Sequence, residues 1–492
     1  MAFLPQTGSR AAPALRDPSL LARESLAGIL TALALVPEVI SFSFISGVDP
    51  KSALVASIVL CLSMSALGGR PAMVTAAAGS VALVVGPMVA KDGAGYILPT
   101  VLLAGAIQIA FGAAGMARLT RFIPRSVMIG FVNALAILIF AAQVPHVAGG
   151  SPAVLALFAV TVGIVLAAPR LTKSIPGPLI AVVVVTALAF ALGLSVPTVG
   201  GAGAMAPGLP GLTELRVPLN IDTLAIVAPS ALSVAFVGLL ETLLTAKLVD
   251  EITDTPSRKG KESWALGVAN ILAGLWGGIA GCAMIGQTVV NVEIGGARTR
   301  LSTAVAGVAM LLLVTVLSDL LGEIPIVALA AVMMIVALRT ANWHSVRPAT
   351  LRRMPLPETS VMLATVAVTV ATGNLAIGVA AGVLLAMVLF ARRVAHVIAV
   401  ERTVSPDGAT VRYAVDGPLF FGSSNDLFEH FACADDPARV TIDLARSHIW
   451  DASSVASIDS IVERFRSRGA EVTLSGLDPR SSRFYERLKG AV

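Results

Sequence analysis

The chain has 492 residues, of which 56% are apolar and only 13% charged, and its mean hydropathy is +0.86. A soluble domain keeps about a quarter of its residues charged, so this balance excludes a soluble enzyme or binding module and defines a polytopic membrane protein. The net charge of +5 then reflects membrane topology rather than affinity for nucleic acid.

Residues 1–20 lack the short apolar core of a secretory signal, so they are read as an uncleaved cytoplasmic N-terminus. Apolar runs follow at 22–45, 52–68, 71–90, 96–116, 126–145, 152–168, 175–194, 221–246, 264–280, 283–295, 301–320, 324–340, 358–374 and 376–394. Most are close to the roughly 20 residues that cross a hydrocarbon core of about 30 Å as a helix. Fourteen spans are expected. Alternate connections hold nearly all the cations, among them Arg23, Arg70, Arg125, Arg170, Lys247, Arg258, Arg298, Arg339, Arg352 and Arg392. The opposite connections hold only Lys51, Lys91 and Arg216. Cytoplasmic loops collect Lys and Arg, so both termini are expected in the cytoplasm, which requires an even number of spans.

The connection at 195–220 splits this array into seven and seven, the repeats being 21–194 and 221–394. An odd number of spans in each half forces opposite orientations, and inverted repeats of this kind place substrate between the halves at discontinuous helices. The third run of each half, RPAMVTAAAGSVALVVGP and GGIAGCAMIGQTVVNVEIGG, is rich in small residues. Each predicts an extended stretch leading into a half-helix, with breaks near Gly79-Ser80 and Gly286-Gln287. Backbone exposed at such a break must line a cavity, because lipid cannot satisfy it. Half-helix N-termini supply N–H donors and positive dipole ends, so an anion site is expected at Gly79, Ser80, Gly286, Gln287 and Thr288. The same small residues could instead serve only close helix packing.

Two runs carry a single acid each, Glu38 in ALALVPEVISFSF and Glu241 in ALSVAFVGLLETLLTA, at matching places in the two halves. A carboxylate near the bilayer centre costs roughly 2.5–3.5 kcal/mol, so it marks an ion pathway or proton relay by default. Glu241 is the first candidate for ion coupling, with Thr245 one turn on along the same helix face, and Glu38 the second. Either acid could also be purely structural, bonded to hydroxyls or backbone at a helix break. Gln108, Asn133, Gln143, Asn270 and Asn291 are read as bonds between helices. Cys61, Cys282 and Cys433 are far apart and odd in number, and are read as structural. No histidine pair has ligand spacing, and no GxxxxGK or nucleophile elbow occurs, so neither metal, cofactor nor enzymatic activity is expected.

Residues 395–492 change character and read as a small cytoplasmic α/β domain. ARVTIDLA and GAEVTLSGL predict strands, and SSVASIDSIVERFRSR repeats apolar positions at helical spacing. The segment DLARSHIWDASSVASIDSIVERFRSRGAEVTLSGLDP resembles a STAS domain, in which a strand ends in an Asp-Ser-Ser loop before a helix. Serine there is first an N-cap; Ser453 or Ser454 could also be a regulatory phosphorylation or partner-binding site.

VPEVISFSFISGVDPKSAL and GVANILAGLWGGIAGCAMIGQTVVNVEIGGARTRLS, with Asn270, Asn291, Gly296, Ala297, Arg298, Thr299 and Ser302, resemble the SulP family of sulfate-permease-type anion transporters. The resemblance covers the whole chain. It implies an all-α membrane domain of fourteen spans in a seven-plus-seven inverted repeat. A core domain (spans 1–4 and 8–11) would move against a gate domain (5–7 and 12–14), with a C-terminal STAS domain and a homodimeric assembly. Many relatives carry arginine where this chain has Gln287, so a fixed cation is missing and plain inorganic-anion exchange is disfavoured. Proton-coupled symport of an anion, a carboxylate or dicarboxylate, across the plasma or inner membrane is the expected function. Sodium-coupled bicarbonate or sulfate transport, an uncoupled exchanger or channel, and an anion sensor reporting through the STAS domain to a protein partner are the alternatives.

Overall fold

The computed structural model describes residues 17–117, 122–171, 175–202, 211–218, 220–395, 398–431 and 436–491. The first sixteen residues of the expected cytoplasmic N-terminus, and Cys433, lie outside the described residues. The chain divides into two compact units, Met1–Val383 and Leu384–Val492.

Among its described residues the first unit is helical apart from one pair of short strands. In chain order it holds α1 (Pro18–Ser46), α2 (Pro50–Leu67), β1 (Thr75–Ala77), α3 (Gly79–Asp92), α4 (Ile97–Ala113), α5 (Arg125–Gln143), α6 (Pro152–Leu171) and α7 (Gly177–Ala191). The second half repeats that order, with α8 (Ile221–Thr253), α9 (Lys259–Leu275), β2 (Gly281–Ala283) and α10 (Ile285–Val289), which runs on as a π-turn over Val290–Ile294. It closes with α11 (Arg300–Val316), α12 (Ile326–Thr340) and α13 (Leu356–Thr372), and α14 (Leu375–Ala395) begins in the first unit and ends in the second. Among the described residues, seven helices are long and apolar enough to cross a membrane and four more are apolar but shorter.

Local chemistry sets the helix ends. Asp17 and Asp49 accept first-turn N–H groups ahead of Pro18 and Pro50, pairing a side-chain cap with a proline whose missing donor costs nothing there. Pro37, inside α1, removes one backbone donor immediately before Glu38. Several boundaries depart from expectation. The ninth run ends as a helix at Leu275, because Trp276–Ala280 turn the chain into β2, and α8 continues to Thr253, where Asp254 takes a left-handed conformation.

The helices sort by packing into two groups. In one, α9 packs on α4 and α2, α8 on α3 and α4, and α11 on α1 and α2. In the other, α5 packs on α12 and α13, and α6 on α7 and α12. The groups meet where α1 touches α12 and α7, and where the Asn374 amide donates to Ser233 Oγ of α8 at 3.4 Å. Beside that bond a cavity of about 250 Å³ is lined by residues including Met88, Lys91, Asp92, Ser230 and Asn374.

The second unit contains a four-stranded sheet of β3 (Ala399–Val404), β4 (Thr410–Leu419), β5 (Arg439–Ile449) and β6 (Glu471–Ser475), in that order. The first pair is antiparallel and the other two are parallel. The parallel β5–β6 connection is made by α15 (Ala452–Arg466), whose Val455, Ile458, Ile461 and Phe465 bury against Tyr413, Val440 and Ile442 of the sheet. α16 (Pro479–Leu488) adds Tyr485 to this core.

Candidate functional site

The two strands cross at the centre of the first group of helices as an antiparallel pair in the register Thr75↔Ala283, Ala76↔Cys282 and Ala77↔Gly281. All six residues are buried, so the backbone groups the pair leaves over must be bonded within the protein. Surrounding helices supply the partners. Ser57 Oγ accepts the Ala77 N–H at 3.1 Å, Thr242 Oγ1 that of Ala283 at 3.0 Å and Thr288 Oγ1 that of Val74 at 3.0 Å. Asn270 Oδ1 accepts the Gly281 N–H at 2.7 Å, while its amide donates to the Gly281 carbonyl at 3.2 Å and to Gln108 Oε1 at 2.8 Å. Cys61 donates to the Thr75 carbonyl at 3.1 Å.

Each strand leads after a single residue into a half-helix, α3 at Gly79 and α10 at Ile285. Neither half-helix has a side-chain cap among the described residues; the capping positions are Ala78 and Met284. Two uncapped N-termini thus converge on the strand crossing, and their first-turn N–H groups remain available to an anion. Gly79, Ser80, Gln287 and Thr288 are buried, whereas Gly286 is exposed and a Cβ placed there would meet no atom within 4 Å. Gly79 admits no side chain, since its Cβ would press on the Phe42 ring at 2.6 Å.

Both predicted coupling acids lie at this crossing, and each reaches over to the other half. Glu241 of α8 accepts from Ser80 Oγ of α3 at 2.5 Å and from Cys282 Sγ at 3.0 Å. Glu38 of α1 faces the side chain of Gln287 of α10 and is partly accessible. Among the described residues no charged side chain lies against either carboxyl group. Thr245 sits one turn beyond Glu241, as its spacing predicts, with its hydroxyl donating to the Glu241 carbonyl at 2.8 Å and the Ala283 carbonyl at 3.0 Å. Thr288 is engaged by the backbone of Val74, so its hydroxyl braces the strand while accepting that bond.

Cys282 is the residue that sequence reasoning passed over. Its spacing from the other cysteines suggests only a structural thiol, and nothing in the sequence places it across β1 beside Ser80 and Glu241. The signature residues of the ninth and tenth runs prove to be braces. Asn291 donates to the Ala72 carbonyl and to Ser302 Oγ, both at 2.9 Å, Gly296 occupies a left-handed turn at φ +70°, and Thr299 caps α11. Arg298 closes onto the carbonyls of Val292 and Ala297, and Glu24 accepts the N–H groups of Arg298 and Thr299.

In the second unit the predicted serine cap is corrected. Asp451 is the capping residue of α15, accepting the Ser454 N–H at 3.0 Å and the Ser454 hydroxyl at 2.9 Å, because a carboxylate accepts both without losing a donor. Ser454 is consequently buried, while Ser453 is exposed in the first turn.

A helical membrane domain with two half-helices meeting at a strand crossing, followed by an α/β domain, defines a multi-span membrane transporter rather than an enzyme. The chain belongs to the sulfate permease family, whose model matches residues 21–165 and 151–365, and a STAS domain matches residues 402–489. YbaR of Bacillus subtilis, provisionally named as a sulfate transporter, is 45% identical over 95% of this chain and 96% of its own length. The bicarbonate transporter BicA of Picosynechococcus is 24% identical over 94% of this chain and 90% of its own. Among solved structures, the transmembrane domain of a cyanobacterial BicA aligns with TM-score 0.66 at 23% identity, covering 73% of this chain and 98% of that one. The murine Slc26a9 anion transporter, in an inward-facing state, aligns with TM-score 0.83 at 15% identity, over 99% and 92% of the two chains. At these identities the two structures bear on the fold alone.

Proposed function

We propose that this anion transporter is a secondary active symporter that couples a carboxylate, specifically a dicarboxylate, to protons. The observation that carries the reading is the Ser80–Glu241 hydrogen bond at 2.5 Å, which ties an ionisable group to the first turn of a half-helix. The Ser80 hydroxyl has one proton to give. While Glu241 is ionised that proton is donated to the carboxylate; once Glu241 is protonated, the hydroxyl is free to turn to an anion held at the α3 N-terminus. Gln287, facing Glu38, offers an amide donor but no fixed charge, so protons supply the compensation an arginine would give elsewhere. Gly79, Ser80, Gly286, Gln287 and Thr288 form the anion site on this reading, and Glu38, Glu241 and Thr245 the coupling site.

The group containing α1–α4 and α8–α11 would carry the site across the membrane against α5–α7 and α12–α14, within a homodimer whose termini both face the cytoplasm. A protein partner would meet the STAS domain near the exposed Ser453. A second reading, sodium-coupled bicarbonate or sulfate transport, draws on the Glu241 carbonyl, the Thr245 hydroxyl and the Ala283 carbonyl, an oxygen set suited to a hard cation. It also fits the names of YbaR and BicA.

Uptake into proteoliposomes separates these readings. Labelled succinate, sulfate and bicarbonate are supplied with an inward proton or sodium gradient. Succinate accumulation driven by protons, and reduced by Glu241→Gln, supports the proposal. Equal flux with and without either gradient contradicts it, and sodium-driven accumulation favours the second reading.

A further inference from the structure

We infer that the transporter carries a small dianion together with two protons, one bound in each repeat; this rests on the proton-symport reading above and adds its stoichiometry and substrate charge. The geometry is reciprocal. Glu38 lies in the first helix of the first half and faces Gln287 in the first turn of the second half's half-helix. Glu241 lies in the first helix of the second half and bonds to Ser80 in the first turn of the first half's half-helix. The two carboxyl groups are therefore equivalent in their repeats and flank one crossing, each linked to one of the two uncapped N-termini. The groups facing Glu241 are the Ser80 hydroxyl from α3 and the Cys282 thiol from β2, and the group facing Glu38 is the Gln287 amide from α10. None is charged, so each carboxyl changes the site's charge by a full unit when it titrates.

Charge balance then selects the substrate. Empty, with both acids ionised, the site carries two negative charges. Loaded with a dianion and with both acids protonated, it carries the same two. The moving body thus crosses the low-dielectric region with an unchanged charge in either direction, against fixed dipoles equivalent to roughly half a charge at each half-helix N-terminus. A monoanion with two protons would leave the loaded site one charge short of the empty one. A dianion with a single proton would leave it one charge in excess. The balance also makes the full cycle electroneutral. Dicarboxylate and sulfate share the chemistry, and the experiment distinguishes them.

The test uses the full chain in proteoliposomes with membrane potential clamped by potassium and valinomycin, and labelled succinate, sulfate and nitrate as probes. For an inward proton gradient of one pH unit, two coupled protons predict accumulation of a dianion by about 100-fold, ten for each proton. That ratio should not move when the potential is changed, and nitrate should not be concentrated. Whichever of succinate and sulfate reaches the ratio is the accepted dianion. Glu38→Gln and Glu241→Gln should each lower the ratio to about tenfold at zero potential and make it potential-dependent, and the double substitution should abolish accumulation. A native ratio near tenfold that shifts with potential overturns the two-proton inference while leaving proton symport standing. Absence of any response to the proton gradient overturns both. If a glutamine variant does not fold, the native ratio and its potential independence decide the matter alone.

Discussion

Two glycines five residues apart in sequence, Gly281 and Gly286, should respond to the same substitution in opposite ways. At Gly281 an added methyl would run into the Ala76 carbonyl across the strand pair and into Leu60 Cδ1 at 2.5 Å. Backbone cannot yield there without breaking the Ala77↔Gly281 register, so Gly281→Ala should destabilise the protein by about 1–3 kcal/mol, the usual cost of overpacking. At Gly286 the methyl meets no atom within 4 Å and the backbone is not left-handed, so Gly286→Ala should fold at least as well as the native chain. Its consequence lies in transport. If an anion rests on the first turn of α10, a side chain at Gly286 displaces it from at least one N–H donor. Loss of one hydrogen bond to a charged group is worth about 1.5–3 kcal/mol, which is roughly 10- to 150-fold in KM. Gly286→Val should lie at the upper end. The assay pairs thermal unfolding of the purified protein with initial uptake rates over a range of substrate. A stable Gly286→Val with native KM would refute the placement of the anion at this half-helix.

Asn270→Ala removes three hydrogen bonds and leaves the buried Gly281 N–H unsatisfied, so unfolding should become easier by about 2 kcal/mol or more; a melting temperature within a degree of native would contradict that role. Cys282→Ser keeps a donor for Glu241 and should preserve the pH profile of uptake, whereas Cys282→Ala removes one of its two donors and should shift the profile; identical profiles for both would show the thiol to be filler. In the STAS unit, the Arg412 hydrogen bond and the Ala445 N–H hold the Asp443 carboxyl below the usual carboxylate range, and the Ser481 and His448 side chains do the same for Asp478. Because the folded values are depressed, this stabilisation is complete above the unfolded pKa of about 4 and is lost as pH falls through the folded values. Thermal unfolding of that unit should therefore drop on acidification below this range, and Asp478→Asn should flatten the dependence; an unchanged slope would contradict it.

Much of the membrane architecture is legible in the sequence because bilayer thickness fixes run length and small residues mark the breaks. The predicted breaks at Gly79-Ser80 and Gly286-Gln287 fall within a residue of the observed half-helix starts. What the sequence hides is pairing. TAA and GCA are too short and too small to show alternation, so the strand crossing emerges only from the partners that surround it, Asn270, Ser57 and Thr242 among them. The Glu241–Cys282 contact depends on that crossing and is invisible for the same reason. In the second unit, β3 escapes prediction because AVERTV is exposed along nearly its whole length and shows no alternating burial. Asp451 displaces serine as the cap because its carboxylate reaches the Ser454 N–H and the Phe421 N–H at once.

The proposed role of Glu241 is to link protonation to anion binding through Ser80. It is tested most directly by titrating succinate and sulfate into the purified native protein and into Glu241→Gln at a series of pH values. Affinity of the native protein should rise as pH falls, and Glu241→Gln should show a distinctly shallower dependence while still binding the anion. Identical pH dependence in the two proteins would contradict it.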